Sequence, residues 1–224
     1  MSERHERNLR AGTACLVSSL VVLLLYKMGW LAGFDNAGLE WMESLRSPKL
    51  TSRVLELSAL GSLPVLVMIG MITVLYLYAR GEQKTTARVF FIMVSAEIVA
   101  YTAKHLVART RPEKFFAPGV ESSIGSDLNV SFPSGDSMMS ATIYLCIAIL
   151  LHKAAESRNP RWVLAGAAIA LIGLIGLSRV YLGVHNPSDV LAGWLGGFGW
   201  TLTWFSVFAR RDRLASAEPG STES

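Results

Sequence analysis

The sequence predicts an all-α protein: a bundle of six membrane-spanning helices with both termini in the cytoplasm. Composition, six apolar runs and the placement of Lys and Arg carry that expectation. Of 224 residues, 51% are hydrophobic and only 17% charged, a balance unlike that of a soluble domain. A hydrocarbon core of about 30 Å asks for about 20 helical residues. Six runs of that length stand at approximately 11–33, 54–78, 86–108, 133–152, 161–180 and 187–208. With the N-terminus inside, the inner segments hold Arg4, Arg7 and Arg10, then Arg80, Lys84 and Arg88, then Lys153, Arg158 and Arg161, then Arg210, Arg211 and Arg213. These make 12 of the 21 basic residues, the asymmetry that sets cytoplasmic loops apart.

The first run follows "MSERHERNLR", a basic start that cleaved signal peptides share. It is long and lacks a small-x-small cleavage site, so a retained helix is expected. Residues 34–53 mix Phe34, Leu39, Trp41, Met42 and Leu45 with charges at near-helical spacing, which suits either a helix lying in the outer interface or a solvated loop. The runs "CLVSSLVVLLL" and "LAGAAIALIGLIGL" have no polar face to offer water. In the sixth, Gly193 and Gly197 stand in the G-x-x-x-G relation that permits close helix packing. Cys15 and Cys146 fall inside spans and read as small buried apolar residues. The expected unit is one domain over residues 1–214, followed by a polar, disordered tail at 215–224.

The outer basic residues run against the charge rule and fall in three clusters, each at the outer end of a span. In "KHLVARTRP", Lys104, Ala108 and Arg111 follow steps of four and three and share a face if the helix continues, while Pro112 discourages continuation. Arg109 and Lys114 read as side chains snorkelling to the interface. In "SFPSGDSMMS", Ser134 can cap a helix whose first turn holds Gly135, Asp136 and Ser137. Unpaired N–H groups and the positive dipole end there suit a phosphate, and Gly135 lets it approach the backbone. In "SRVYLGVHNPSD", Asn186 reads as an N-cap with Pro187 and Asp189 at the first and third helical positions, so Asp189 can reach back toward His185. That pairing fixes one imidazole nitrogen as a donor and leaves the other as a nucleophile. Arg179 adds a planar donor fork for phosphate oxygens.

Taken together, Lys104 with six residues before Arg111-Pro112, then Pro133-Ser134-Gly135, then Ser178-Arg179 with five residues before His185 and three more before Asp189, resemble the three-part signature of the type-2 phosphatidic acid phosphatase superfamily. The resemblance is to its bacterial membrane lipid phosphatases. It implies that Lys104, Arg111 and Arg179 bind the phosphoryl group, with Ser134 and the Gly135 backbone completing a cradle. It makes His185 the nucleophile of a phosphohistidine intermediate, oriented by Asp189. The expected partners are a phosphorylated lipid and the bilayer, with no nucleic acid, no cofactor and no metal. The expected location is a bacterial inner membrane with the site facing outward. Prenyl diphosphate, lipid A phosphate, phosphatidylglycerophosphate and phosphatidate are the candidate substrates.

One position departs from the signature. Its second part ends in a His that protonates the leaving oxygen and later activates water, and here Asp136 stands in that place. An ordinary aspartate is ionised at neutral pH, a poor acid that repels phosphate. Three outcomes follow: Asp136 works as an acid or base in a desolvated site, the substrate carries a leaving group that needs no acid, or the chain binds lipid phosphate without turnover. The second favours a lipid diphosphate or a sugar 1-phosphate. His105 is a poor substitute, because neighbours on a helix point about 100° apart. Glu97, seven residues before Lys104, reads as the partner of a basic residue inside the bundle. Charges gathered at one face count against a transporter, and the absence of a soluble lid counts against a haloperoxidase.

Overall fold

The computed structural model describes residues 3–120, 129–154 and 158–217. Eight α-helices account for most of them: α1 Glu3–Lys27, α2 Ala32–Ser44, α3 Pro48–Ala59, α4 Leu63–Ala79, α5 Gln83–Val107, α6 Gly135–Ala154, α7 Arg158–Tyr181 and α8 Pro187–Ala217. Extended pairing among the described residues is confined to an isolated antiparallel bridge, Thr110 with Val130.

Five stretches are long and apolar enough to cross a membrane: Glu6–Lys27, Pro48–Ala79, Gln83–Val107, Gly135–His152 and Trp162–Tyr181. The run at 187–208 lies in α8, which at 31 residues is long enough but is diluted by glycine, tryptophan and threonine. It is the packed member of the bundle, lying chiefly against α1 and α6. A Cβ at Gly193 would stand 2.6 Å from the Ser134 carbonyl oxygen, and one at Gly197 would stand 2.4 Å from that of Met138. The G-x-x-x-G pair thus brings α8 onto the first two turns of α6. α8 continues to Ala217, while residues 218–224 of the expected tail lie outside the described residues.

Local chemistry accounts for the other departures from the expected spans. The first helix stops at Lys27 instead of 33, because Gly29 turns the chain with φ 77°. The single run expected at 54–78 is two helices. The corner at Leu60–Ser62 is followed by Pro64 in the first turn of α4, and proline is tolerated at a helix start but not in its middle. The 34–53 segment is helical, in α2 and the start of α3, and buries Asp35 and Leu39 while Phe34, Trp41 and Leu45 stay exposed. Ser47 caps α3 by accepting the Leu50 N–H at 3.3 Å. Arg46 ties this corner to the C-terminal end of α7, donating to the Tyr181 carbonyl at 2.7 Å and the Phe115 carbonyl at 2.6 Å. Toward the other end, Leu66, Val89, Ile92, Met138 and Ile143 form the main apolar core, with Trp200, Trp204 and Phe208 of α8 packed on it. Both cysteines are free, with Cys146 buried and Cys15 half-buried.

Candidate active site

The three sequence clusters meet because α5 ends early. Val107 is its last residue, and Ala108 takes a left-handed conformation (φ 50°, ψ 37°). Residues 109–111 then run alongside 130–131, where the Ser131 N–H donates to the Arg109 carbonyl at 2.7 Å. Arg111 therefore does not share a helical face with Lys104, as the spacing had suggested. It arrives from an extended strap laid against the entry to α6, the conformation that a following proline favours.

Ser134 caps α6, with its Oγ 3.4 Å from the Ser137 N–H and 2.9 Å from the Ser137 Oγ. Its own N–H donates to the Asp189 carbonyl at 3.0 Å, tying the starts of α6 and α8 together. Lys104 leans over this turn: a Cβ at Gly135 would lie 3.5 Å from its Nζ. The charges acting on Lys104 are those of Asp136, Arg111, Glu97 and Arg179. Arg111 Nη1 donates to the Val184 carbonyl at 2.8 Å. Arg179 donates through Nη1 to Ser58 Oγ at 2.6 Å and through Nη2 to Asp136 Oδ2. The Nε atoms of both arginines are buried without a partner among the described residues. Burial, reinforced by the neighbouring Arg179 charge, holds the Arg111 guanidinium below its usual pKa.

His185 sits in the loop between α7 and α8 and is 1% exposed. Its Nδ1 is 3.8 Å from Asp189 Oδ2, about 1 Å beyond a hydrogen bond. Asp189 instead closes a capping box, its Oδ2 accepting the Asn186 N–H at 2.8 Å and the Asn186 Nδ2 at 3.1 Å. Burial pushes the imidazole pKa down to about 4; Asp189 opposes the shift, while Arg111 and Lys104 reinforce it. At neutral pH the ring is uncharged and keeps a lone pair for attack.

All eight sequence candidates, Lys104, Arg111, Ser134, Gly135, Asp136, Arg179, His185 and Asp189, thus lie at one end of the bundle, where α5 and α7 finish and α6 and α8 begin. Four other residues join them unannounced. Arg109 does not snorkel: its Nη1 donates to Ser188 Oγ at 2.7 Å and Asp189 Oδ1 at 2.8 Å, and its Nη2 to Asp35 Oδ2 at 2.7 Å. Asp35 and Ser188 complete that buried network, and Ser58 is the fourth. Asp35 carried a readable signal, an acid four residues before Leu39 on the apolar face of α2. His105 is exposed and turned back to the Tyr101 carbonyl at 2.8 Å, away from the cluster. Glu97 makes no ion pair among the described residues. It lines an apolar cavity of about 230 Å³ with Leu66, Gly70, Met93 and Met139, and exposed Val67, Met71 and Ile98 leave that cavity open on the outside of the bundle.

Residues 85–213 match the PAP2 superfamily. The chain belongs to that family. Among PAP2 relatives, phosphatidylglycerophosphatase B of Bacillus subtilis is 34% identical over 157 residues, 66% of this chain and 70% of that protein. The lipid A 1-phosphatase of Rhizobium johnstonii is 33% identical over 136 residues, 59% of this chain and 52% of the relative, so the match spans about half that enzyme. A solved PAP2 structure, the transmembrane phosphatidylglycerolphosphate phosphatase from Bacillus subtilis, superimposes with a TM-score of 0.71 at 25% identity, covering 90% of this chain and 96% of that one. This chain is an integral membrane protein of a phosphatase family, and the matched residues include every member of the cluster except Asp35 and Ser58.

Proposed function

We propose that this PAP2 protein hydrolyses a phosphate ester or diphosphate of a lipid at the extracytoplasmic face of a bacterial inner membrane, through a phosphohistidine on His185. The observation that carries this reading is a buried, uncharged imidazole beside Lys104, Arg111 and Arg179, two of which keep unpaired buried Nε donors. α8 serves as the sixth span, residues 1–214 form the working unit, and both termini are cytoplasmic, in keeping with the 12 basic residues of the inner segments. The substrate's hydrocarbon chain stays in the bilayer beside the cavity between α4, α5 and α6.

The chemistry is in-line displacement. The Nε2 lone pair of His185 attacks phosphorus, and the bond from phosphorus to the lipid oxygen breaks with its electron pair leaving on that oxygen. Lys104, Arg111, Arg179 and the N–H groups of the first turn of α6 take up the charge on the equatorial oxygens. The Nδ1–H turns to Asp189, and the 3.8 Å gap closes as the ring gains charge. Water then attacks phosphorus, the P–N bond breaks back to Nε2, the water proton passes to the Asp136 carboxylate, and inorganic phosphate leaves. Asp136 serves here as a base and not as an acid, since it accepts from Arg179. The first step is therefore easiest when the departing group is itself a phosphate, as in a lipid diphosphate.

A second reading has a specific observation behind it. The Asp136–Arg179 pair occupies one arm of the phosphate cradle, as expected of a protein that binds lipid phosphate without turning it over. Phosphate release by the purified chain in detergent, from a panel of lipid mono- and diphosphates, separates the two. Turnover lost in His185→Ala supports the enzyme, whereas turnover appearing only in Asp136→His supports the binding protein. Equal rates on a diphosphate and a monoester of one lipid would sink the leaving-group argument.

A further inference from the structure

The Arg109 network lies behind the nucleophile, not in the cradle. Asp35, on α2, is 2% exposed. Its carboxylate accepts from Arg109 Nη2 at 2.7 Å, the Ser188 N–H at 2.8 Å and Ser188 Oγ at 2.7 Å. The other arm of the Arg109 fork holds Asp189 Oδ1 at 2.8 Å, and the guanidinium is stacked 4.3 Å from the centre of the Tyr26 ring. One buried cation is therefore shared by two buried carboxylates, and one of them faces the nucleophile.

We propose that Asp35 is a positioning residue for the nucleophile, acting through Arg109 to hold Asp189 in place as a full acceptor for the His185 ring. The inference rests on the reading of His185 as the attacking group.

Charge balance is the first argument. Arg109 paired with Asp189 alone would form a neutral unit, leaving little negative charge to favour the imidazolium that forms as Nε2 attacks. With Asp35 present, the three groups sum to minus one, and half the guanidinium fork is drawn away from Asp189. Negative charge thus stays directed at Nδ1 where positive charge develops, the preorganised arrangement that accelerates charge-forming steps. Geometry is the second argument. Arg109 fixes Oδ1 and Asn186 fixes Oδ2, so the carboxylate plane has no freedom to rotate away from the ring. A structural tie between α2 and α8 would need only the Ser188 bonds to Asp35. Threading a guanidinium between two carboxylates adds a costly desolvated charge that holding helices together does not require.

The test uses the full chain in detergent with isotopically labelled histidine. There are four histidines in the chain, and His185→Ala identifies the resonance of interest. The charged groups facing His185 are Asp189 from α8, Arg111 from the strap and Lys104 from α5, and the substitutions leave all three in place. Asp35→Asn hands the whole Arg109 charge to Asp189, so the His185 titration midpoint should fall. Arg109→Gln strips that charge away, so the midpoint should rise. Arg109→Lys keeps the charge without the fork and should leave the midpoint near its original value. In all three, kcat should drop by about 10- to 100-fold with KM within about twofold, since positioning is lost and the cradle is not.

Unaltered vanadate binding reports that each variant is folded. Midpoints that stay put, or move the same way in Asp35→Asn and Arg109→Gln, overturn the inference, as does a rise in KM at constant kcat. If Asp35→Asn does not fold, the difference between Arg109→Gln and Arg109→Lys decides alone. An unaltered chain without turnover whose variants still shift in opposite directions would defeat the catalytic reading and leave the positioning of the ring standing.

Discussion

The two halves of the site differ in how their polar groups are satisfied. In the cradle, Arg111 and Arg179 each keep a buried Nε without a partner among the described residues, and Lys104 makes no ion pair there. Behind the nucleophile nearly everything is committed: Asp35, Arg109, Ser188, Asn186 and Asp189 bond one another at 2.7–3.1 Å. On the proposed reading the first half receives an anion. The second is built to stay still, and its one loose atom is His185 Nδ1. Receptive donors and a rigid nucleophile are the division of labour that phosphoryl transfer asks for.

The largest effect should come from removing the atom on which both halves converge. His185→Ala should lower phosphate release by about 10⁴-fold or more, because loss of a covalent nucleophile leaves only binding and electrostatics. Binding of inorganic vanadate to the cradle should persist. Phosphate trapped on the protein after a denaturing quench held at alkaline pH, where a P–N bond survives, should be present in the unaltered chain and missing from the variant. A labelled intermediate that survives His185→Ala would dissolve the distinction between the halves.

Next in size is the cradle itself. Arg111→Ala should cost about 10²- to 10³-fold in kcat, the usual loss for a donor aimed at developing charge. Vanadate affinity should fall with it, which separates this variant from His185→Ala. A loss confined to kcat with unaltered anion binding would move Arg111 out of the receptive half.

How far the sequence carried this comparison differs between the halves. Lys104, Ser134, Arg179, His185 and Asp189 were readable because their spacings are local to helix ends, where capping and a following proline constrain the chain. The G-x-x-x-G close approach was readable because its spacing lies on one face of a single helix. Arg109 was misread because a basic residue at a helix end has an ordinary interfacial role, and only long-range folding showed that Asp35, 74 residues earlier, would meet it. Ser58 was invisible in the same way, since a serine on α3 has no pattern pointing to Arg179. The division of the run at 54–78 was legible in Gly61, Ser62 and Pro64 but was outweighed by its hydrophobicity. Local chemistry can be read along the chain, whereas the rigid half is assembled from segments distant in sequence.

The protonation of His185 gives a third test. With its pKa pushed down to about 4 by burial, the ring stays uncharged and reactive well below the ordinary value of about 6.5. The acid limb of kcat/KM should therefore lie near pH 4. At pH 5 the rate should be roughly thirtyfold higher, relative to the plateau, than for an exposed imidazole. Stability follows the same group with a definite sign. The unfolded chain binds a proton near 6.5 that the folded chain refuses until about 4, so the His185 contribution to stability is lost, and the melting temperature should fall, as pH drops through that window. An acid limb at 6.5 would mean that the nucleophile's surroundings are as open as the cradle.

The smallest expected effect is on anion binding and concerns the acid of the cradle. Asp136 stands in the first turn of α6 within the cradle, yet it is already paired, with Arg179. A phosphoryl oxygen seeking Arg179 Nη2 must displace a carboxylate whose side chain is only 18% exposed, so the two anions compete directly for one largely buried guanidinium. Asp136→Asn should tighten competitive inhibition by inorganic phosphate about three- to tenfold, as one anion is removed from the site of another. The same variant distinguishes competitor from base. If Asp136 only competes, turnover at saturating substrate should be unchanged. If it accepts the proton of the hydrolytic water, phosphohistidine should accumulate, and a burst of lipid product should precede a slow steady state. Asp136→His offers both a weaker competitor and a donor for the leaving oxygen, so its gain should be larger on a lipid monoester than on a diphosphate. An equal gain on both would show that the carboxylate's burden is occupancy of Arg179 and that leaving-group chemistry was never limiting.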